Sequence, residues 1–139
     1  MKFLVTFLIL TSSLHASIDL AESTLSLTKG PEELCVGGPM KVVGQDSDRS
    51  LIVGSRISFS LSQKDDVSLA ADGHCREVVR KKEEADKLIQ TTTISNCSKE
   101  YKKLEGETYE ELIVSHDQII YKNRHGKTTS TCLFKRKLK

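Results

Sequence analysis

The chain has 139 residues, of which 37% are hydrophobic and 29% charged, with two prolines, four cysteines and no tryptophan. This length and composition fit one globular domain and exclude collagen, coiled coils and long disordered chains. The net charge of +2 is too small to indicate a nucleic-acid-binding protein.

Residues 1–16 have the organisation of a secretory signal peptide. Lys2 supplies a positive charge, an apolar run extends from Phe3 to Leu10, and a polar stretch ends at the small residue Ala16. About eight apolar residues are too few to cross a ~30 Å hydrocarbon core, which disfavours a transmembrane anchor. We therefore expect cleavage after Ala16, a single β domain over residues 17–139, and an exported protein that is periplasmic or secreted.

Export determines how the cysteines are interpreted. Cys35, Cys75, Cys97 and Cys132 are even in number, and two disulfides are the default in an oxidising compartment. None of them forms a Cys-x-x-Cys motif, so zinc ribbons and thioredoxin-type redox centres have no support. Spacing alone leaves all three pairings open.

Three strand patterns occupy the first half of the domain. Residues 23–28 alternate apolar and polar side chains, and residues 40–44 form a second short pattern between turn signals. Residues 50–62 predict the clearest strand, with Gly54 as a bend or bulge. Its apolar side chains share one face, and these are Leu51, Val53, Ile57, Phe59 and Leu61. Residues 67–69 predict a brief continuation.

Residues 76–95 allow two interpretations. Helix-forming residues at 76–89 fit a helix, whereas the β-branched residues 91–94 favour a hairpin that turns near residues 85–86. In one register of this hairpin, the residue numbers of each opposed pair add up to 172. That register places Val78 opposite Ile94 and Cys75 opposite Cys97.

A cross-strand disulfide is sterically possible at that register, and this favours the hairpin. The pairing of Cys75 with Cys97 then leaves Cys35 to bond Cys132, which would tie the first core strand to the last.

The C-terminal third continues the same alternation of strands and turns. Residues 98–105 predict one or two helical turns that stop at Gly106. A second hairpin follows across the turn at residues 115–117, and a tight turn at residues 123–126 leads to a final strand at 127–135. Residues 135–139 carry four positive charges and predict a solvated tail that contacts anionic surfaces weakly.

These elements predict an all-β fold. We expect an antiparallel meander of seven or eight strands that forms a small barrel or sandwich, with two disulfides and at most one short helix. A chain without tryptophan cannot contain the Gly-x-Trp motif of lipocalins, so no functional residue is transferred from that family.

No motif in the sequence predicts a catalytic, cofactor-binding or metal-binding residue. His74, His116 and His125 lie in predicted turns, and an oxidised Cys75 beside His74 offers no nucleophilic thiolate. The acidic residues at 46 and 48 resemble the start of an EF-hand loop, but the required Gly and Glu positions hold Leu51 and Ile57.

We therefore expect a binding protein without enzymatic activity or cofactor. It would act as a monomer that holds a small apolar ligand or an envelope protein, and it would not bind nucleic acid. The alternative is a structural or inhibitor-type interaction module of the cell envelope. Such a module would contact its partner through the turns at residues 46–49 and 123–126.

Overall fold

The computed structural model describes residues 18–62 and 64–139, and the predicted signal peptide lies outside them. Ten antiparallel strands make up almost all of the regular structure. They are β1 (Ser23–Lys29), β2 (Gly38–Val43), β3 (Ser50–Val53), β4 (Ile57–Ser60), β5 (Asp66–Ala70), β6 (Cys75–Glu84), β7 (Lys87–Ser95), β8 (Gly106–Val114), β9 (Gln118–His125) and β10 (Thr128–Leu138). Short 3₁₀ helices at Asp46–Asp48 and Lys99–Leu104 join them.

The ten strands form one sheet in the order β4-β3-β2-β1-β10-β9-β8-β7-β6-β5. Each strand pairs with its neighbours in sequence except where β1 pairs with β10, and β4 and β5 are the two edges of a sheet that does not close. The predicted all-β antiparallel meander with two disulfides is confirmed. The strand count is ten instead of seven or eight.

The strand predicted at residues 50–62 is a hairpin. Gly54, at φ +64°, turns the chain between β3 and β4, and a Cβ there would collide with the carbonyl oxygen of Val36. The hairpin pairs Leu51 with Phe59 and Val53 with Ile57. Paired residues lie on the same face, so a single strand and this hairpin give the same alternation of apolar residues.

The predicted hairpin between β6 and β7 is present, but its register was wrong by one residue. Val78 lies opposite Thr93 instead of Ile94, because the two-residue turn with Ala85 at φ +41° sets the pairing. Asn96, at φ +52°, adds one residue beyond the hairpin and brings Cys97 to Cys75.

The final strands are longer than predicted. β9 continues to His125, so the predicted turn at 123–126 is mostly strand. β10 continues to Leu138, and the predicted basic tail is therefore part of the sheet, with Arg136 paired to Leu25 of β1. In the part of the chain that the structure describes, no helix is long and apolar enough to cross a membrane.

The core lies on the concave face of the sheet. Its largest fully buried side chains belong to Phe59, Phe134, Met40, Leu51 and Leu112, and these come from β2, β3, β4, β8 and β10. Their burial removes apolar surface from water, which is the main stabilising contribution in a domain of this size.

Two disulfides cross-link the sheet. Cys35 bonds Cys132 with 5.5 Å between Cα atoms, which joins the loop between β1 and β2 to β10 across 97 residues of sequence. Cys75 bonds Cys97 and closes the far end of the β6–β7 hairpin across 22 residues. In the chain-entropy model the longer loop stabilises more, about 4.7 kcal/mol against about 3 kcal/mol.

Arg136 is a buried cation at one end of the core. Its guanidinium donates hydrogen bonds to the hydroxyl of Ser23 at 3.0 Å and to the carbonyls of Ala21 at 2.8 Å and Ser115 at 3.0 Å. It also contacts both the carbonyl and the carboxylate of Asp19. These contacts hold the segment before β1 and the turn between β8 and β9 against β10.

Arg136→Met removes these donors and leaves buried carbonyls without partners. We expect it to lower the free energy of unfolding by about 3 kcal/mol, because each buried group left unpaired costs about 1–3 kcal/mol. Lys137→Met, at the exposed neighbouring position of β10, should change it by less than about 0.5 kcal/mol. Urea unfolding of both variants is the measurement, and equal losses would contradict the role assigned to Arg136.

Candidate ligand-binding pocket

A pocket of about 150 Å³ lies where the two ends of the curved sheet approach each other. One side comes from the β3–β4 hairpin and the residues after it, and the other from the β6–β7 hairpin. Its lining consists of Leu20, Arg49, Phe59, Ser60, Leu61, Ser62, Lys81, Lys82, Glu83, Leu88, Ile89 and Gln90. Residues from both halves of the chain therefore build one concave site.

The inner part of the pocket is apolar. Phe59 is 1% exposed and Leu88 is 7% exposed, and both belong to the hydrophobic core. The partly buried side chains of Leu20 and Leu61 pack against the same core. Phe59 also makes an edge-to-face contact with Tyr121, with ring centroids 6.1 Å apart, which fixes the orientation of its ring.

Lys81 places a positive charge in the pocket wall. Its side chain is only 7% exposed and forms an ion pair with the carboxylate of Asp66 on β5. The same ammonium group donates to the carbonyl oxygen of Lys64 at 3.2 Å. A buried ammonium needs such partners, and here they come from the edge strand and the loop before it.

Gln90 connects the pocket to a polar network on the concave face. Its amide donates to Glu110 at 3.2 Å, and the hydroxyl of Tyr121 donates to the other oxygen of that carboxylate at 2.7 Å. Asn123 donates in turn to the Tyr121 oxygen at 3.0 Å. Three neighbouring strands, β7, β8 and β9, supply this network at matching register positions.

Burial raises the pKa of the Tyr121 hydroxyl well above its ordinary value, and the Glu110 carboxylate raises it further. The amide of Asn123 acts in the opposite direction. The phenol is therefore a hydrogen-bond donor at neutral pH and not a general base.

The lining contains the basic side chains of Arg49, Lys81 and Lys82 and the carboxylate of Glu83. Lys82 forms an ion pair with Glu84, and that carboxylate raises the lysine pKa. The guanidinium of Arg49 has no ion pair within the described residues, so it is available to an anionic group of a ligand.

The histidines singled out in the sequence lie apart from this pocket. His74 stacks on Tyr101 with centroids 4.2 Å apart and contacts the Ser98 hydroxyl at 3.0 Å. His125 contacts Thr108 at 2.9 Å, and His116 is exposed in the turn after β8. Cys75, next to His74, is bonded to Cys97 and carries no free thiol.

Of the polar residues of the pocket, the sequence analysis named only Arg49, as the end of the turn at residues 46–49 that would contact a protein partner. A usable signal was present in the alternation of the strands: two residues beyond the buried Leu88 lies Gln90, and two residues before Leu112 lies Glu110. Both positions face the concave side. The approach of the β3–β4 hairpin to β6 and β7 depends on the curvature of the sheet, which no local pattern encodes.

Two solved structures are similar to this chain in fold. A structure described as the REP1-NXSQ fatty acid transporter superposes with a TM-score of 0.47 at 12% identity, covering 84% of this chain and 94% of that one. A point mutant of the fluorescent protein UnaG superposes with a TM-score of 0.48 at 12% identity, covering 87% of this chain and 97% of that one. The likeness concerns the fold alone.

No family model matches the chain, and no curated protein is similar to it in sequence. Any indication of function therefore comes from the side chains of the pocket itself. Among residues 18–62 and 64–139, no group of three or more His, Cys, Asp or Glu side chains is arranged to hold a metal ion.

The raised pKa of Tyr121 predicts a loss of stability in alkaline solution. An unfolded tyrosine ionises near pH 10.0, so the stabilising contribution is complete below that pH and is lost as the pH rises above it. Tyr121→Phe should cost about 1 kcal/mol near neutral pH through its lost hydrogen bonds, and it should make the decline above about pH 10 shallower.

Denaturant unfolding of both proteins across this pH range is the measurement. Part of the decline should remain in Tyr121→Phe, because burial and Glu111 also raise the pKa of Tyr109. Identical slopes for the variant and the native chain would contradict the burial of the Tyr121 hydroxyl in the polar network.

Proposed function

We propose that this chain is an exported, non-catalytic binding protein whose ligand is a short, partly apolar molecule. The observation that carries the proposal is the pocket between the two ends of the sheet. It combines a buried apolar floor with a few convergent polar groups, which is the general character of a small-molecule site. The ligand's apolar part would contact Phe59 and Leu88, and its polar end would face Arg49 and Gln90.

The volume sets the size of the ligand. About 150 Å³ is below the ~300–1,000 Å³ of sites for drug-sized molecules, and an apolar cavity of that volume accommodates a molecule like benzene. A long hydrocarbon chain does not fit within this volume. The guanidinium of Arg49, which forms no ion pair within the described residues, favours a ligand that carries an anionic end, such as a short-chain carboxylate.

Export and the lack of catalysis rest on separate features. The two disulfides are typical of an oxidising compartment, which supports a periplasmic or secreted location. All four cysteines are bonded, and the phenol in the network is held in its protonated form. These features supply no activated nucleophile or base at the pocket. The proposed binding protein is monomeric, uses no cofactor and does not bind nucleic acid.

Hexanoate is a suitable probe, because its tail matches the apolar floor and its carboxylate matches the charge of Arg49. We expect hexanoate to shift the amide resonances of Leu88, Ile89 and Gln90 in a saturable titration. Hexanol, which lacks the charge, should bind more weakly. Leu61→Trp fills the pocket from its wall and should abolish the saturable shifts.

Val43→Trp is the matched control, because Val43 is a surface position on β2 that is 37% exposed and does not line the pocket. It introduces the same side chain and should leave the titration unchanged. Urea unfolding shows whether either tryptophan disturbs the fold. The absence of shifts in the native chain, or equal shifts in Leu61→Trp, would overturn the proposal.

One observation favours a protein partner as a second candidate. The edge strand β5 exposes Val67 by 60% and Leu69 by 72%, and an uncovered edge strand can pair with a strand of another protein. The same variants separate the two functions. A partner held by β5 is insensitive to Leu61→Trp, whereas a pocket ligand is displaced by it.

A further inference from the structure

Four adjacent strands of the sheet contain no acidic residue. β1, β2, β9 and β10 hold seven lysines and arginines and neither aspartate nor glutamate. In contrast, β8 contains three glutamates and neither lysine nor arginine. The small net charge of the whole chain therefore conceals a strong separation of charge between regions of the sheet.

Six of these seven cations lie on the convex face. Alternation along β10 buries Cys132, Phe134 and Arg136 and exposes Lys135 and Lys137. The exposed cations of the four strands, here called the basic face, are Lys29, Lys41, Lys122, Arg124, Lys135 and Lys137. Glu22 directly precedes β1 and Asp117 directly precedes β9, and Glu22 is already paired with Lys139. Glu111 of β8 lies opposite Lys122 in the register, but its carboxylate is paired with Lys87.

The strand register brings these cations together. Lys135 and Lys137 lie two residues apart on β10, about 7 Å along the strand, and their partners on β1 are the uncharged Ser26 and Thr24. Within the described residues, none of the six forms an ion pair. Arg124 lies over the ring of Tyr109 at 5.1 Å, a cation–π contact that gives it no carboxylate partner.

A strip of apolar side chains crosses the basic face. Lys29 pairs with Leu133, and Leu133 pairs with Ile120 on β9, so the three lie side by side on the convex surface. Leu133 and Ile120 are half-buried although they point away from the core. Lys135 and Lys122 lie on either side of this strip.

We propose that the basic face docks on an anionic lipid bilayer. Lysines predominate over arginine, and lysine acts as a point charge suited to a diffuse array of phosphates. Single-stranded nucleic acids would require aromatic stacking platforms, whereas the aromatic side chain of this face, Tyr109, is covered by Arg124. A central apolar strip with lysines around it matches the headgroup region, where charge and hydrocarbon lie close together.

Docking in this way leaves the pocket accessible. The pocket is lined from β4, β6 and β7 and the neighbouring loops, and none of its residues belongs to β1, β2, β9 or β10. Membrane docking is therefore a property separate from the proposed ligand binding, and the test of one does not depend on the other.

Co-sedimentation of the full chain with vesicles of phosphatidylcholine, with and without phosphatidylglycerol, tests this inference. We expect binding only to vesicles that contain phosphatidylglycerol, with weaker binding as the salt concentration rises. Each basic residue near such a surface contributes about fivefold to partitioning, so Lys135→Gln with Lys137→Gln should lower it roughly thirtyfold.

The control is Lys99→Gln with Lys103→Gln, which removes the same charge from two exposed positions of the second 3₁₀ helix. It should change partitioning far less than the β10 pair. Equal losses in the two double variants would show that net charge alone matters and would overturn the proposal. Equal binding to neutral vesicles, or no binding to either kind, would overturn it as well, and the second result would point to an acidic protein as the partner of this face.

Discussion

The pairing of β1 with β10 is the constraint on which the rest of the structure depends. Every other ladder in the sheet joins strands that follow one another in sequence, so each can form locally as a hairpin. β1 and β10 pair Ser23 with Leu138 across almost the whole domain. Without this pairing the chain would consist of two separate meanders, β1–β4 and β5–β10.

Several groups fasten this junction. The disulfide between Cys35 and Cys132 lies at one end of the β1–β10 pairing. At the other end, Arg136 donates hydrogen bonds to the segment before β1. Gly30, at φ +139°, lets the chain pass close to β10, because a Cβ there would lie 2.7 Å from the carbonyl oxygen of Thr131. Loop-closure entropy opposes the pairing of strands so distant in sequence, so the disulfide that joins the β1–β2 loop to β10 favours the folded state at this junction.

The candidate site is a consequence of the same junction. Phe59 comes from the N-terminal meander and Leu88 from the C-terminal one, and they line one pocket because β1 and β10 hold the two meanders in a single curved sheet. Neither meander contains the site by itself. The proposed function therefore depends on a contact far from the pocket, between the strands that are most distant in sequence.

More of the fold than of the candidate site could be predicted from the sequence. Period-two alternation identifies which residues of a strand share the core-facing side. Cys132 and Phe134 are buried, and the same alternation places Arg136 on the core side two residues later. The positive charge of Arg136 instead suggested a solvated tail. The same alternation could not separate one strand from a hairpin at Gly54, because cross-strand partners share a face. The extra residue at Asn96 depends on a backbone conformation that composition does not reveal.

Export, oxidation and ligand binding are proposed here as properties of one molecule. Native mass spectrometry of unreduced protein from an exporting cell tests this combination most directly. We expect the mass of residues 17–139 less four hydrogens, together with a small adduct that is absent from Leu61→Trp. A mass with four free thiols, or the oxidised chain with no adduct, would contradict it.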